Sequence, residues 1–153
     1  MQAQLNTWSN TMKSETSIYT GFEFEADGFP AFAIINTDLK KASKKEYPYS
    51  VFVRIVPDAF NENGHPEEAE DEYLVEIEKK IIEYLETQTR SVHVGHITIF
   101  RSREIVFYTN DDGVVTTFLN HFLSTIERES DFEIEEDENW DNVAAFYDLL
   151  WKE

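Results

Sequence analysis

The chain has 153 residues, 41% apolar and 29% charged, a composition that indicates a folded domain and excludes a disordered chain. Its 31 acidic and 13 basic side chains give a formal net charge of −18, which disfavours direct nucleic-acid binding and favours basic partners, although the same charge also keeps a protein soluble. The absence of cysteine excludes disulfides, thiolate metal sites and a cysteine nucleophile, and it fits a reducing compartment.

The first 16 residues are polar and show no period, so we expect 1–16 to be a flexible leader and 17–153 to form a single domain. The leader lacks the apolar segment of a secretory signal, and no later segment approaches the roughly 18 apolar residues of a membrane span. We therefore expect a cytoplasmic protein without a membrane partner.

Two strands open the domain. Apolar and polar residues alternate over 18–25, and 31–36 is apolar, so the turn residues between them predict a hairpin. A lysine-rich loop, 38–46, follows as a solvated segment. Tyr49–Val56 is apolar on both faces and predicts a central strand.

The next element is a helix over Pro66–Gln88. Acidic residues crowd its first turns, where the helix dipole favours anions, and proline is well placed at a first helical position. An apolar stripe at helical spacing predicts the buried face. Its members are Leu74, Ile77, Ile81 and Leu85.

A second hairpin follows, with strands over Ser91–Phe100 and Glu104–Thr109. Gly95 falls where the alternation changes phase, which predicts a β-bulge. The remaining elements are a helix over Val114–Glu129, a short acidic edge strand over Asp131–Glu136 and a terminal helix over Trp140–Trp151.

The order of these elements between Tyr47 and Glu136 is strand, helix, strand, strand, helix, strand. It predicts a ferredoxin-like α+β sandwich, preceded by an N-terminal β-hairpin and followed by a C-terminal helix. The two long helices should cover mainly one face of an antiparallel sheet.

Two patterns are compatible with a metal. With Gly64 at the sixth position of a calcium loop, Asn61, Asn63, Glu67 and Glu70 supply oxygen donors, but Ala59 lacks the carboxylate that the first position needs, so an acid-rich helix start is favoured. Four histidines, His65, His93, His96 and His121, invite a zinc interpretation. Without a bulge, His93 and His96 face opposite sides of a strand, and no zinc spacing is present, so no metal or cofactor is expected.

Catalytic templates are absent from the sequence, including a nucleophile elbow and a phosphate-binding glycine run. One enzymatic alternative stays open, a small site assembled from polar residues on or between the predicted strands. These residues are Arg54, Arg101, Arg103, His93 and His96.

The densest acidic runs are Glu67–Glu72 and Glu133–Glu138. The first complements a helix start, whereas the second has no comparable local reason. We therefore predict an exposed docking strip for a basic partner, with a charged guard on a sheet edge as the alternative. The strip consists of Glu133, Glu135, Glu136, Asp137 and Glu138.

Five segments between about Ser17 and Trp151 carry a familiar pattern. They are DGFPAFAIIN (27–36), YPYSVFVRI (47–55), GHPEEAEDEYLVEIEKKI (64–81), HVGHITIFRSREIVFYTND (93–111) and WDNVAAFYDLL (140–150). Together they resemble the bacterial family catalogued as domain of unknown function 695. Some members of that family look similar to the acidic regulator of ribonuclease E, inhibitor protein B, a ferredoxin-like protein that binds an RNA-processing enzyme. The resemblance implies a fold and transfers no catalytic residue. The favoured hypothesis is a non-enzymatic binding or inhibitor module for a basic partner such as an RNA-handling enzyme.

Overall fold

The computed structural model describes residues 4–6, 18–40 and 44–150. Within these ranges the fold is a mixture of α-helices and one antiparallel sheet, as predicted. The strands are β1 (Gln4–Asn6), β2 (Tyr19–Ala26), β3 (Phe29–Asn36), β4 (Tyr49–Ile55), β5 (Ser91–Ile99), β6 (Ser102–Thr109) and β7 (Ser130–Glu136). The helices are α1 (Glu68–Gln88), α2 (Asp112–Leu123) and α3 (Ala144–Leu150), the last preceded by a 3₁₀ turn at Asp141–Val143.

The strand order in the sheet is β1-β2-β3-β5-β6-β4-β7. The prediction that Tyr49–Val56 is an inner strand is confirmed, since β4 pairs with β6 on one side and β7 on the other. Val51 and Val53 on this strand are fully buried, which explains why its sequence is so apolar. The edge position predicted for the acidic strand is confirmed as well, because β7 lies at the end of the order.

The sheet has a core on each face. On one face α1 and α2 pack against β4, β6 and β7, and the predicted stripe from Leu74 to Leu85 is buried there. Each fully buried leucine or isoleucine stabilises the fold by about 1.5–3 kcal/mol. On the other face the 3₁₀ turn and α3 bury Trp140 and Phe146 against β2, β3, β5 and β6.

Three predicted boundaries are wrong. Helix α1 begins at Glu68, because Pro66 forms an isolated β-bridge with Phe60 instead of the first helical turn. Helix α2 ends at Leu123 rather than Glu129, where the hydroxyl groups of two following residues donate to the last helical carbonyls. The terminal helix begins at Ala144, because Trp140 adopts a left-handed conformation with φ of 57°.

The second hairpin also differs slightly from its prediction. Its turn is shorter, with β5 ending at Ile99 and β6 beginning at Ser102, because Arg101 adopts a positive φ of 60°. Trp151, at the end of the predicted terminal helix, lies outside the described residues.

The short strand β1 pairs with β2 and was not predicted from the sequence. It belongs to the segment expected to be a flexible leader, whose residues 1–3 and 7–16 lie outside the described part of the chain. None of the helices that the structure describes combines the length and apolarity that crossing a bilayer requires.

Candidate functional site

The predicted bulge lies at Gly95 and is confirmed. The register between β5 and β6 shifts between His93 and Gly95, whose φ is 149°. A Cβ atom at this position would lie 1.8 Å from the carbonyl oxygen of Ile34, so only glycine fits. The extra residue turns the side chains of His93 and His96 to the same face of the sheet, toward α1.

Both histidines meet a glutamate from the middle of α1. Nε2 of His93 lies 2.6 Å from Oε2 of Glu78, and Nδ1 of His96 lies 2.7 Å from Oε1. All three residues are buried, and Glu78 has no exposed surface. Burial opposes ionisation of Glu78, but the two imidazoles outweigh it and hold the pKa of this carboxyl below its usual range. The carboxylate of Glu78 thus lies between two histidines of β5 and contacts both.

Glu78 was missed from the sequence, although a signal was present. It lies four residues after Leu74 and three before Ile81, on the same helical face as the apolar stripe. A charged residue in such a stripe needs a buried partner, since burying an unpaired charge is costly. The phase change at Gly95 pointed to these partners, because a bulge there places His93 and His96 on one face of the sheet.

His93 has two further buried partners, one at its ring and one at its backbone carbonyl. The hydroxyl of Tyr19 lies 2.9 Å from Nδ1 of His93, and the side-chain amide of Asn36 donates to the carbonyl oxygen of His93 over 3.2 Å. Burial, with the charges of Glu86 and Glu78, raises the pKa of Tyr19, so its hydroxyl stays protonated. Because a carboxylate only accepts hydrogen bonds, Nε2 of His93 donates to Glu78.

Arg103 lies on the same side of the sheet. Its Nε donates to Oγ1 of Thr98 over 2.9 Å, and its Nη2 donates to Asp71 of α1. Burial lowers the pKa of His96 and Arg103 lowers it further, which together outweigh the opposing effect of Glu78. Arg103 and the two histidines thus form one buried polar layer between α1 and β5–β6.

The other two residues of the enzymatic alternative lie elsewhere. Arg54 alternates with Val53 and Ile55 on β4 and so points to the opposite face, where its guanidinium pairs with Asp131 at 2.6 Å. Arg101 lies in the β5–β6 turn with its guanidinium 4.5 Å from the ring centre of Phe60. The five residues do not form one site.

Two of the residues considered for calcium, Glu70 and Asn61, have other partners. Glu70 accepts two hydrogen bonds from Arg128, at 2.7 and 2.8 Å, and these hold its pKa below the usual range despite burial. The side-chain oxygen of Asn61 accepts the backbone N–H groups of Asn63 and His65. Among the described residues no group of three or more histidine or acidic side chains is arranged for a metal ion.

An open groove lies on the α3 side of the sheet, where β4, β6 and β7 extend beyond the helix. It has a volume of about 280 Å³. The lining residues are Ser50, Phe52, Glu104, Glu133, Glu135 and Asn142. Phe52 is half-buried and lies directly opposite Glu133 on the neighbouring strand, so the groove has an apolar floor and an acidic wall.

The carboxylates of the groove repel one another. Burial raises the pKa of Glu104, and the charges of Asp131 and Glu133 raise it further against the opposing effect of Arg54. Arg54 neutralises Asp131, whereas Glu133 and Glu135 have no cationic partner among the residues that the structure describes. The groove therefore carries net negative charge next to apolar surface.

Four residues of the predicted docking strip are exposed, namely Glu133, Glu135, Glu136 and Glu138. Asp137 is buried, so its predicted exposure is wrong. The hydroxyl of Tyr108 donates to its carboxylate over 2.6 Å, and the backbone N–H groups of Asp141 and Asn142 donate over 2.9 and 3.0 Å. The carboxylate of Asp137 thus caps the first N–H groups of the 3₁₀ turn, which is a structural role.

Together these features define a small α+β protein with a sealed histidine–glutamate cluster on one side of its sheet and an open acidic groove on the other. The chain belongs to the family of unknown function DUF695, whose family model matches residues 20–150. The resemblance found in the sequence is thus confirmed. No curated protein matches the chain, and neither does any solved structure.

Proposed function

We propose that this protein is a cytoplasmic, non-enzymatic binding or inhibitor module that docks a basic partner on its acidic groove. The observation that carries the proposal is the pair Glu133 and Glu135, two exposed carboxylates without a cationic partner in the described structure, beside the half-buried ring of Phe52. Such a charge distribution attracts basic partners over long range and accelerates their association.

The shape of the groove supports a protein partner over a small substrate. The groove is open along the sheet and does not enclose a ligand as a typical small-molecule pocket does. The stem of a lysine or arginine side chain can lie on Phe52 while its charged end meets Glu104 and Glu133. Both halves of a basic side chain would thus find complementary surface.

The proposed partner class rests on a comparison of folds. In β4-α1-β5-β6-α2-β7, the strands β4 and β5 run parallel with β6 between them, which supports a ferredoxin-like arrangement. The acidic regulator of ribonuclease E is a ferredoxin-like protein, so an RNA-handling enzyme with a basic surface is the proposed class of target. This step is an analogy between folds.

The buried cluster favours an enzyme less well. The side chains of Glu78, His93 and His96 are at most 6% exposed, so a substrate could reach them only if α1 moved away from β5. Glu78 hydrogen-bonds to both histidines, and such mutual contacts are typical of a structural network.

Affinity capture with matched variants tests the proposal. Wild-type protein, Glu133→Gln/Glu135→Gln and Glu23→Gln/Glu25→Gln are immobilised and exposed to native cell extract at low and high salt. The second variant is the control, because Glu23 and Glu25 are also exposed and two residues apart on one strand. We expect the wild type and the control to retain the same basic protein at low salt only, and the groove variant to lose it. Equal retention by all three would contradict the proposal.

A further inference from the structure

The outer edge of β7 has a defined set of free backbone groups. The N–H of Asp137 donates to Pro48 over 2.7 Å, and the N–H of Val56 donates to Glu129 over 2.9 Å, so both ends of β7 bond to β4 through odd-numbered residues. In an antiparallel pair this alternation continues along the strand. The even-numbered residues therefore direct their N–H and C=O groups outward. They are Ser130, Phe132, Ile134 and Glu136.

No strand in the described part of the chain pairs with this edge. Its side chains alternate in chemistry as well as in direction. Glu133 and Glu135 lie on the groove face, whereas Phe132 and Ile134 lie half-buried on the face covered by α2. Partly buried apolar side chains at the end of α2, Phe122 and Leu123, belong to the same core. The edge thus offers acid on one face and apolar surface on the other.

We propose that β7 accepts an eighth strand, an extended segment of a partner protein in which lysine or arginine alternates with aliphatic residues. The inference rests on the proposed function and specifies how the partner binds. In an antiparallel addition, basic residues lie opposite Glu133 and Glu135, and aliphatic residues lie opposite Phe132 and Ile134. Opposite charges directly across a strand pair stabilise it.

A second copy of this chain is the wrong occupant for the edge. Pairing β7 with another β7 would bring rows of glutamates together, and like charges directly opposite destabilise a sheet. The acids therefore discourage self-association and at the same time select a basic strand.

The geometry predicts which amides of the partner matter. Aliphatic residues opposite Phe132 and Ile134 form the hydrogen-bonded pairs, so their N–H groups point at β7. The N–H groups of the intervening basic residues point away. Methylating the backbone nitrogen of an aliphatic residue should break the strand pairing, and methylating that of an intervening basic residue should leave it intact.

The test uses a synthetic peptide of alternating lysine and valine and two derivatives, N-methylated on a central valine or on a central lysine. Binding to the full chain is measured by fluorescence anisotropy. We expect methylation of the valine to weaken binding about tenfold and methylation of the lysine to leave it nearly unchanged. On binding the parent peptide, amide hydrogen exchange should slow at Phe132 and Ile134, while the Glu133 amide, which faces β4, is already protected.

Equal binding of the two methylated peptides, with unchanged exchange at Phe132 and Ile134, would overturn strand addition and leave electrostatic docking in the groove intact. Equal binding of the parent peptide to wild type and to Glu133→Gln/Glu135→Gln would overturn this inference together with the docking surface. A dimer joined through β7 in the absence of peptide, detected by sedimentation, would also overturn it.

Discussion

Nε2 of His93 lies 2.6 Å from Oε2 of Glu78, in the interior of the protein. The contact joins the middle of α1 to β5, and His96 of the same strand contacts the other carboxylate oxygen of Glu78. Since neither side chain can turn to water, both depend on buried partners for their hydrogen bonds. The hydrogen bonds of Glu78 with His93 and His96 therefore position α1 on the sheet.

Replacing Glu78 by alanine should therefore destabilise the protein by about 3 kcal/mol or more, because two buried imidazoles lose their acceptor. Urea denaturation of the wild type and Glu78→Ala measures the difference. Glu83→Ala is the matched control on the exposed face of α1 and should change stability by less than about 0.5 kcal/mol. Equal stabilities for the two variants would show that the buried contact is not important.

Stability should depend on pH through His96. Burial and Arg103 keep its pKa in the folded state below its ordinary value of 6.5, so the unfolded chain binds the proton more readily. The neutral ring contributes full stability above about pH 6.5, and that contribution is lost as the pH falls below it. Glu78, whose pKa is also lowered, adds a loss in the same direction at more acidic pH, below its ordinary value of 4.5.

Urea midpoints between pH 8 and pH 5 measure this dependence. We expect the wild type to lose stability over that range and His96→Gln to show a shallower slope. His121→Asn, at an exposed position of α2, is the control and should retain the slope of the wild type. A wild-type midpoint that does not move between pH 8 and pH 5 would contradict the assignment.

Gly95→Ala should destabilise the protein by about 3 kcal/mol or more, since the new Cβ would overlap the carbonyl of Ile34 and the φ of 149° is strained for alanine. Thermal unfolding checks this. Gly113→Ala offers a contrast, because a Cβ atom there would meet no neighbouring group within 4 Å and the residue sits in the first turn of α2. That change should be neutral or stabilising by up to about 1 kcal/mol. A similar loss in both variants would argue against the bulge.

Asp137 and Glu138 are neighbours with different expected roles. Asp137→Ala removes the acceptor of Tyr108 and of two backbone N–H groups, so it should lower the free energy of unfolding by about 2–3 kcal/mol. Glu138→Ala changes an exposed side chain and should have little effect on stability. If Asp137→Ala unfolds like the wild type, the structural role assigned to this carboxylate is wrong.

Much of the fold could be predicted because periodicity is a local property. The stripe from Leu74 to Leu85 defined α1, and the apolar run of β4 indicated its central position. Helix ends were less predictable, since the end of α2 depends on hydroxyl groups that compete for carbonyls within the last turn. Three-residue β1 has too few residues to show a period.

In the candidate sites, too, the sequence showed the local patterns but not the contacts between distant residues. The phase change at Gly95 revealed the bulge, but only the crossing of α1 over β5 shows that His93 and His96 share Glu78. Likewise, the acidic run was visible, whereas the burial of Asp137 depends on Tyr108, 29 residues earlier in the chain. Contacts between distant residues are set by tertiary packing, which no local pattern contains.

The most direct test of the docking surface is the association rate of the partner that affinity capture identifies, measured by stopped flow at several salt concentrations. Neutralising Glu133, Glu135, Glu136 and Glu138 together should slow association and flatten its salt dependence while the melting temperature stays nearly unchanged. The exposed residues of the docking strip would then be the surface that attracts the partner. An association rate and salt dependence equal to those of the wild type would contradict the account and leave these acids as a guard on the sheet edge.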